Sequence, residues 1–345
     1  MIWLTWRQFR GSAAVVLGAL AAMALALAVT GPQLVQLFES SGRDFLDQLE
    51  RDALKRTVFV VGTALAYVVP GVIGAFWGAP MIARELEAGT HRLVWSQSIT
   101  RTRWLGTKLG VGAAGAALAG SVGLLLTWWS RPIDDAVDLG YAEDGILAVP
   151  RIWPDLFGTR GVVPIAMAVL ALVIGVAAGL LIRRTVAAMA ATFVVVVAVQ
   201  VLMPSLVQER LAAPETLTTT ISNENLRGLF LTGAPGDPDP KVGGIEVAVD
   251  HPGAWVTVNH TVDSDGQVVE FLPSYAQDCA DHPGADPVVV EACFERLAAD
   301  GYRQRVEYHP ASQFWTLQWR EAGLLLVLAG LLSGFCFWRI RRDLT

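Results

Sequence analysis

Crossing the hydrocarbon of a bilayer takes about 20 predominantly apolar residues. This chain offers six runs near or above that length, at residues 12–29, 57–79, 104–129, 161–182, 185–205 and 316–338. In lipid a segment must satisfy its own backbone polar groups, so each run reads as a helix. The rest of the composition agrees: 53% of the 345 residues are hydrophobic and 17% charged, with a mean hydropathy of +0.45. The expected fold class is an all-α polytopic membrane protein with six transmembrane helices. The first run has a basic start (Arg7, Arg10) and small residues near its end (Ala24, Ala26, Ala28), as a signal peptide does. Its apolar core exceeds the 7–15 residues of a cleaved signal, so a retained helix is expected.

Charge sets the orientation. With the amino terminus inside, the cytosolic pieces carry 12 cations and three anions, and most of those cations lie within a few residues of a span end, where the positive-inside rule applies. Both termini are then cytoplasmic. The net charge of −6 reports an acidic exterior, and no nucleic-acid partner is expected. Runs four and five are separated only by Arg183 and Arg184. One continuous helix over both would be more than twice the hydrocarbon thickness, so the chain must reverse at the arginine pair.

The connections divide the chain. Residues 1–205 hold spans one to five, residues 206–315 form a small extracytoplasmic α+β domain, and residues 316–345 hold span six and a cytosolic tail. Residues 31–56 have a helix-like apolar period at Phe45, Leu46, Leu49 and Leu54 and are expected to lie on the outer surface. Pro70-Gly71 predicts a bend in span two that reads equally as a hinge or as a packing kink. Residues 131–160 form an acidic exterior loop ending in FGTRGVVP. In the exterior domain, residues 245–249, 255–262 and 303–308 read as strands, 288–298 as a helix, and Ser264-Asp265-Gly266 as a turn joining 255–262 to a strand at 267–272. Cys279 and Cys293 fall in that domain, where an oxidising compartment favours a disulfide between them.

Catalytic constellations are missing from the sequence. The string Gly106-Thr107-Lys108 lacks the preceding glycine and strand of a phosphate loop, so no cofactor is expected in this chain. Ionisable groups are expected to be absent from the span interiors, which argues against an ion-coupled carrier. Thr63, Tyr67, Thr127, Thr192 and Gln200 remain as polar candidates to line a cavity, with helix–helix hydrogen bonding as the plainer reading. His251 and His260 lie nine residues apart without a ligand spacing, and no metal site is expected.

The cation-rich stretch between spans two and three reads RELEAGTHRLVWSQSITRTRWLGTK from Arg84 to Lys108. An acidic residue, Gly-Thr, a helix, a polar break, Arg and Lys follow one another, at Glu85, Glu87, Gly89, Thr90, Ser98, Arg101 and Lys108. This order resembles the cytosolic segment of type-2 permeases of ATP-binding-cassette (ABC) exporters. The strings WLTWRQFR, GLLIRRT and FWTLQWREAG add a likeness to an actinobacterial group of such subunits. The resemblance implies a transporter subunit rather than an enzyme, in a bacterial plasma membrane. Its segment at about 80–103 would dock on a separately encoded nucleotide-binding ATPase through Glu85, Glu87, Gly89, Thr90 and Arg101. ATP and Mg would be held by that partner, and a second permease, identical or not, would complete the assembly. The exterior domain is larger than the family's usual loop. An alternative from another class is a membrane sensor or assembly factor whose exterior domain binds a ligand; an exterior-domain enzyme is a third, with no catalytic group to support it.

Overall fold

The apolar runs fold as helices in the computed structural model, which describes residues 2–89, 100–142, 145–232, 241–279 and 286–342. Among these residues six helices or helix pairs are long and apolar enough to span a membrane: Val16–Arg51, Ala53–Glu87, Arg101–Trp129, Val163–Ile182, Thr185–Leu206 and Ala311–Arg342. The chain divides into two compact units, residues 1–212 with 312–345, and residues 213–311.

In the first unit, α1 (Ile2–Ser41) runs 40 residues, about 60 Å at 1.5 Å per residue. It continues through Pro32 instead of ending near residue 29. Helix α2 (Phe45–Arg51) then buries Phe45, Leu46 and Leu49 in one cluster with Leu34, Ile133 and Val137. The polar face of this stretch, with Arg43, Asp44, Asp47 and Arg51, stays exposed. Apolar residues at i, i+1 and i+4 give even a short helix a face to bury, and α7 (Arg131–Asp138) offers the matching face of Ile133, Ala136 and Val137. Residues 131–138 of the acidic stretch are thus helical, and Asp134 among them is buried.

Helix α3 (Ala53–Val72) starts on Asp52, whose carboxylate accepts from the backbone N–H of Leu54 and Lys55, both at 3.1 Å. Beyond Pro70 the helix widens into a π-helical stretch, Ile73–Gly78, and resumes as α4 (Ala79–Glu87). Span three breaks at Ser121 into α5 (Arg101–Gly120) and α6 (Val122–Trp129). The short α8 (Pro154–Phe157) leads to α9 (Val163–Ile182). Arg183 closes α9 in the left-handed region at φ 57°, and α10 (Thr185–Leu206) runs back from it. The last span is α12 (Phe314–Arg342).

Helix α9 is the axis of this unit, and most of its residues are buried. Glycines let its neighbours approach backbone to backbone. A Cβ on Gly175 would stand 2.2 Å from the Gly74 carbonyl oxygen, and one on Gly179 2.8 Å from that of Ala79. Gly74 and Gly78 of the π stretch meet the α9 carbonyls of Ala171 and Leu172 in the same way. The π-helical stretch beyond Pro70 is thus packed on its glycine face, which favours the packing reading over the hinge. Around this axis α10 exposes Val186, Phe193, Val194 and Val201, and α12 exposes Leu326, Val327 and Leu331. Rows of this kind are what a lipid-facing surface requires.

The second unit holds β1 (Glu215–Thr219), β2 (Leu226–Thr232), β3 (Lys241–Val247), β4 (Trp255–Val262), α11 (Pro287–Ala299) and β5 (Arg303–His309). Three strands pair antiparallel in the order β1-β5-β4, and β2 pairs antiparallel with β3. Side-chain amides stitch the two sheets: Gln304 Nε2 donates to the Ile245 carbonyl at 2.6 Å, and Asn259 Nδ2 to that of Val247 at 2.9 Å. Val242, Ile245, Phe294, Leu297 and Val306 fill the core beside the bonded pair Cys279–Cys293. The expected hairpin after β4 forms over its first residues: Asp263 N–H donates to the Gln267 carbonyl at 3.0 Å, Val269 N–H donates to the Thr261 carbonyl at 2.9 Å, and Val262 bridges Val268. Leu272 donates its N–H to the Val242 carbonyl at 2.9 Å, so this stretch turns toward β3. His251 stacks on the Tyr308 ring, with centroids 4.9 Å apart.

Candidate functional site

The cation-rich stretch begins at the end of α4, and its described part resumes at Thr100, just before α5. Helix α4 closes with Ala88 N–H on the Arg84 carbonyl (3.0 Å) and Gly89 N–H on that of Leu86 (3.3 Å). Gly89 has φ +69°, the left-handed conformation with which helices commonly stop. Thr90 and Ser98 lie outside the described residues. Thr100 starts α5 by accepting the Arg103 N–H at 3.3 Å, and Arg101 is the first residue of that helix. Arg84 and Arg103 are exposed.

Two acidic residues fasten this base to the rest of the unit. Lys108, on α5 and only 4% exposed, lies 2.6 Å from the Glu85 carboxylate and donates to the Met81 carbonyl at 2.9 Å. Its ammonium also sits 4.7 Å from the Trp104 ring centroid. A buried cation needs such partners, since removing one leaves an uncompensated charge. Glu87 Oε2 accepts twice from the start of α10, from Thr185 N–H at 2.9 Å and Thr185 Oγ1 at 2.6 Å. Arg183 and Arg184, beside it, are exposed. Of the five positions singled out for docking, Glu85 and Glu87 are therefore engaged within the chain. Gly89 makes the turn, Arg101 opens α5, and Thr90 is not described.

The candidate cavity residues are mostly engaged as well. Thr192 donates to the Ala188 carbonyl at 2.7 Å within its own helix. Thr127 donates to the Gly123 carbonyl and accepts the Gly161 N–H, both at 2.7 Å. Gln200 Nε2 donates to the Tyr67 carbonyl at 2.9 Å, and the Tyr67 hydroxyl donates to the Asp155 carbonyl. Of these five candidates, Thr63 alone has a buried side-chain oxygen with no hydrogen-bond partner among the described residues. Bonds of this kind join helices more readily than they recognise a ligand.

At the opposite end of α9 the fold builds a second polar cluster that sequence reasoning missed. Gln318 on α12 is fully buried. Its Oε1 accepts the N–H groups of Val162 (2.9 Å) and Val163 (3.0 Å), and its Nε2 donates to the Phe157 carbonyl at 3.0 Å. Those donors would otherwise be orphans of the first turn of α9. Gly161, at φ +61°, leaves room, since a Cβ there would meet Gln318 Oε1 at 2.4 Å. Arg160, also fully buried, donates to the Leu126 carbonyl at 3.3 Å and lies over the Phe59 ring. Burial pushes the carboxyl of Asp134 up to about 6, against the pull of Arg160 and Arg151. The signal was present in FGTRGVVP and FWTLQWREAG, whose polar residues interrupt apolar sequence. The expectation of spans without ionisable interiors also needs correction: Lys108 and Glu321, each 4% exposed, sit on span helices α5 and α12. For Lys108 the reason is the Glu85 carboxylate, which lets a charge stay out of water.

A family model described as "ABC-2 membrane transporter related" matches residues 17–208, more than half of the chain, from within α1 to just past α10. No curated protein and no solved structure matches it.

Proposed function

We propose that this chain, which belongs to the ABC-2 membrane transporter related family, is the permease subunit of an ATP-driven exporter moving an amphipathic compound or lipid outwards. It is a multi-pass membrane protein and the transport component rather than the hydrolytic one. The ATPase is a separate polypeptide that docks on the segment at about 80–103, with Gly89, Thr90 and Arg101 toward the partner and Glu85 and Glu87 fixing the base. ATP and Mg²⁺ belong to that partner. In this chain the only Gly-x-Lys string ends at Lys108, whose ammonium is taken by Glu85 and the Met81 carbonyl. A second permease, identical or related, completes the pair.

The observation that carries the docking assignment is the closed base. The Glu85–Lys108 ion pair at 2.6 Å ties the end of α4 to α5 about two turns past its start, so the two spans that flank the cationic segment are held together. A small contact rooted in two spans can pass a partner's movement into the membrane. Charge asymmetry supports placing this segment and both termini in the cytoplasm, and the 213–311 unit outside. Affinity purification of the tagged chain in mild detergent tests the reading: a nucleotide-binding subunit should be retained at near-stoichiometric yield. Recovery of the permease without any ATPase, from cells expressing the neighbouring genes, would remove it.

A further inference from the structure

The Glu87 carboxylate, placed in the docking segment by resemblance, faces the start of α10, 98 residues further along the chain. Helix α10 lacks a cap of its own, because Arg184 at its N-cap position makes no side-chain cap hydrogen bond. Glu87 supplies that cap from another helix, with one oxygen taking both the first N–H and the Thr185 hydroxyl. A carboxylate is favoured there by the helix dipole, and hydrogen bonds to a charged acceptor are the stronger kind.

The opposite face of α4 is fastened separately. Residues two apart on an α-helix point about 200° from each other, so Glu85 and Glu87 reach to opposite sides, one to Lys108 of α5 and the other to Thr185 of α10. Between those clamps α4 touches α9 backbone to backbone, since a Cβ on Gly179 would lie 2.8 Å from the Ala79 carbonyl oxygen and 3.1 Å from the Ala83 nitrogen. A displacement of α4 has no slack to absorb it on any of these three sides.

We propose that Glu87 is a positioning residue that couples the docking segment to α10. It makes the end of α4 and the α9–α10 turn move as one piece when the partner ATPase changes state. The proposal rests on the reading of 80–103 as a docking segment, and it assigns Glu87 a contact inside the permease rather than one on the partner.

The permease–ATPase complex, reconstituted in lipid nanodiscs, provides the test. Hydrogen–deuterium exchange is followed at residues 185–190 with and without ATP plus vanadate, and ATPase retention is measured alongside. In the wild type, nucleotide trapping should change exchange at the start of α10. In Glu87→Ala the ATPase should be retained, while the nucleotide-dependent change shrinks by about tenfold, within the usual range of a coupling free energy. Glu87→Gln, whose amide oxygen still accepts from Thr185, should recover most of the change. Thr185→Val should weaken it, and adding Glu87→Ala to Thr185→Val should lower it no further than Glu87→Ala alone. If Glu87→Ala keeps the full nucleotide-dependent change, the proposal is wrong and the exporter reading stands. Loss of the ATPase from Glu87→Gln would also overturn it, by placing the carboxylate on the partner. A wild-type chain that retains no ATPase would instead refute the exporter reading itself.

Discussion

The two ends of α9 are held by different kinds of chemistry. At its N-terminus a fully buried amide, Gln318, satisfies two backbone N–H groups and one carbonyl, and a fully buried Arg160 lies nearby. At its C-terminus Arg183 turns the chain in a left-handed conformation, and the next helix is capped by Glu87, an exposed carboxylate borrowed from α4. Polar bonds in a low-dielectric interior are costly to leave unmade, whereas water replaces exposed ones at little cost. The N-terminal end is therefore an anchor. The C-terminal end is the weaker joint: its exposed contact adds little to stability, although it ties α4 to α10.

The largest expected effect lies at the anchor. Gln318→Leu strands two N–H groups and a carbonyl in a dry site, at roughly 1–3 kcal/mol each, so a total loss of about 4 kcal/mol is expected. The melting temperature of the detergent-purified protein reads this, and an unchanged value would break the contrast between the ends. Next is the contact that joins both ends to α4 and the π stretch. Gly175→Ala puts a methyl group 2.2 Å from the Gly74 carbonyl oxygen and 2.7 Å from the Ala79 nitrogen, and such overpacking should cost about 2 kcal/mol in the same measurement.

A third prediction uses pH. Asp134 titrates at about 6 in the fold against 3.8 as its ordinary value. Because its folded value is raised, its contribution is fully present below pH 3.8 and is lost as pH rises through 6. Taking the protein from pH 7 to pH 5 should stabilise this region by about 1 kcal/mol, and Asp134→Asn should abolish that difference. A wild type and variant with the same pH dependence would count against the buried-carboxyl account. The smallest effect belongs to the exposed end, where Thr185→Val should lower stability by no more than about 0.5–1 kcal/mol. If it matched Gln318→Leu, the distinction between anchor and weaker end would fail.

The six spans were legible because lipid imposes a length and a composition that no other environment requires. The reversal at Arg183–Arg184 followed from helix length alone. What the sequence concealed were partners distant along the chain: Gln318 for Val162 and Val163, and Glu87 for Thr185. Each looks locally like an ordinary polar residue near a span end, and only the fold shows which backbone groups it satisfies. The partner of the apolar face of α2 was not legible, because that face could equally have rested on a membrane surface and the matching face on α7 was hidden among acidic neighbours. In the sheet unit the sequence pattern located the strands β3, β4 and β5 and the helix α11, but β1 is a threonine-rich, mostly exposed strand without an alternating signature. The turn at Ser264-Asp265-Gly266 was read correctly as a turn, since Asp263 Oδ1 accepts the Asp265 and Gln267 N–H groups at 2.9 Å. The strand expected after it pairs back on β4 as far as Val269, and Leu272 has turned to β3.

The central claim is that a separate ATPase sits on the segment between α4 and α5. A photo-crosslinking residue placed at Gly89, in cells expressing the whole system, tests this most directly, with the same residue at Gly266 in the sheet unit as the comparison. The account predicts that light yields a covalent adduct between the chain and a nucleotide-binding subunit from position 89, and none from position 266. An adduct from 266 with none from 89, or no ATPase adduct from either, would contradict it.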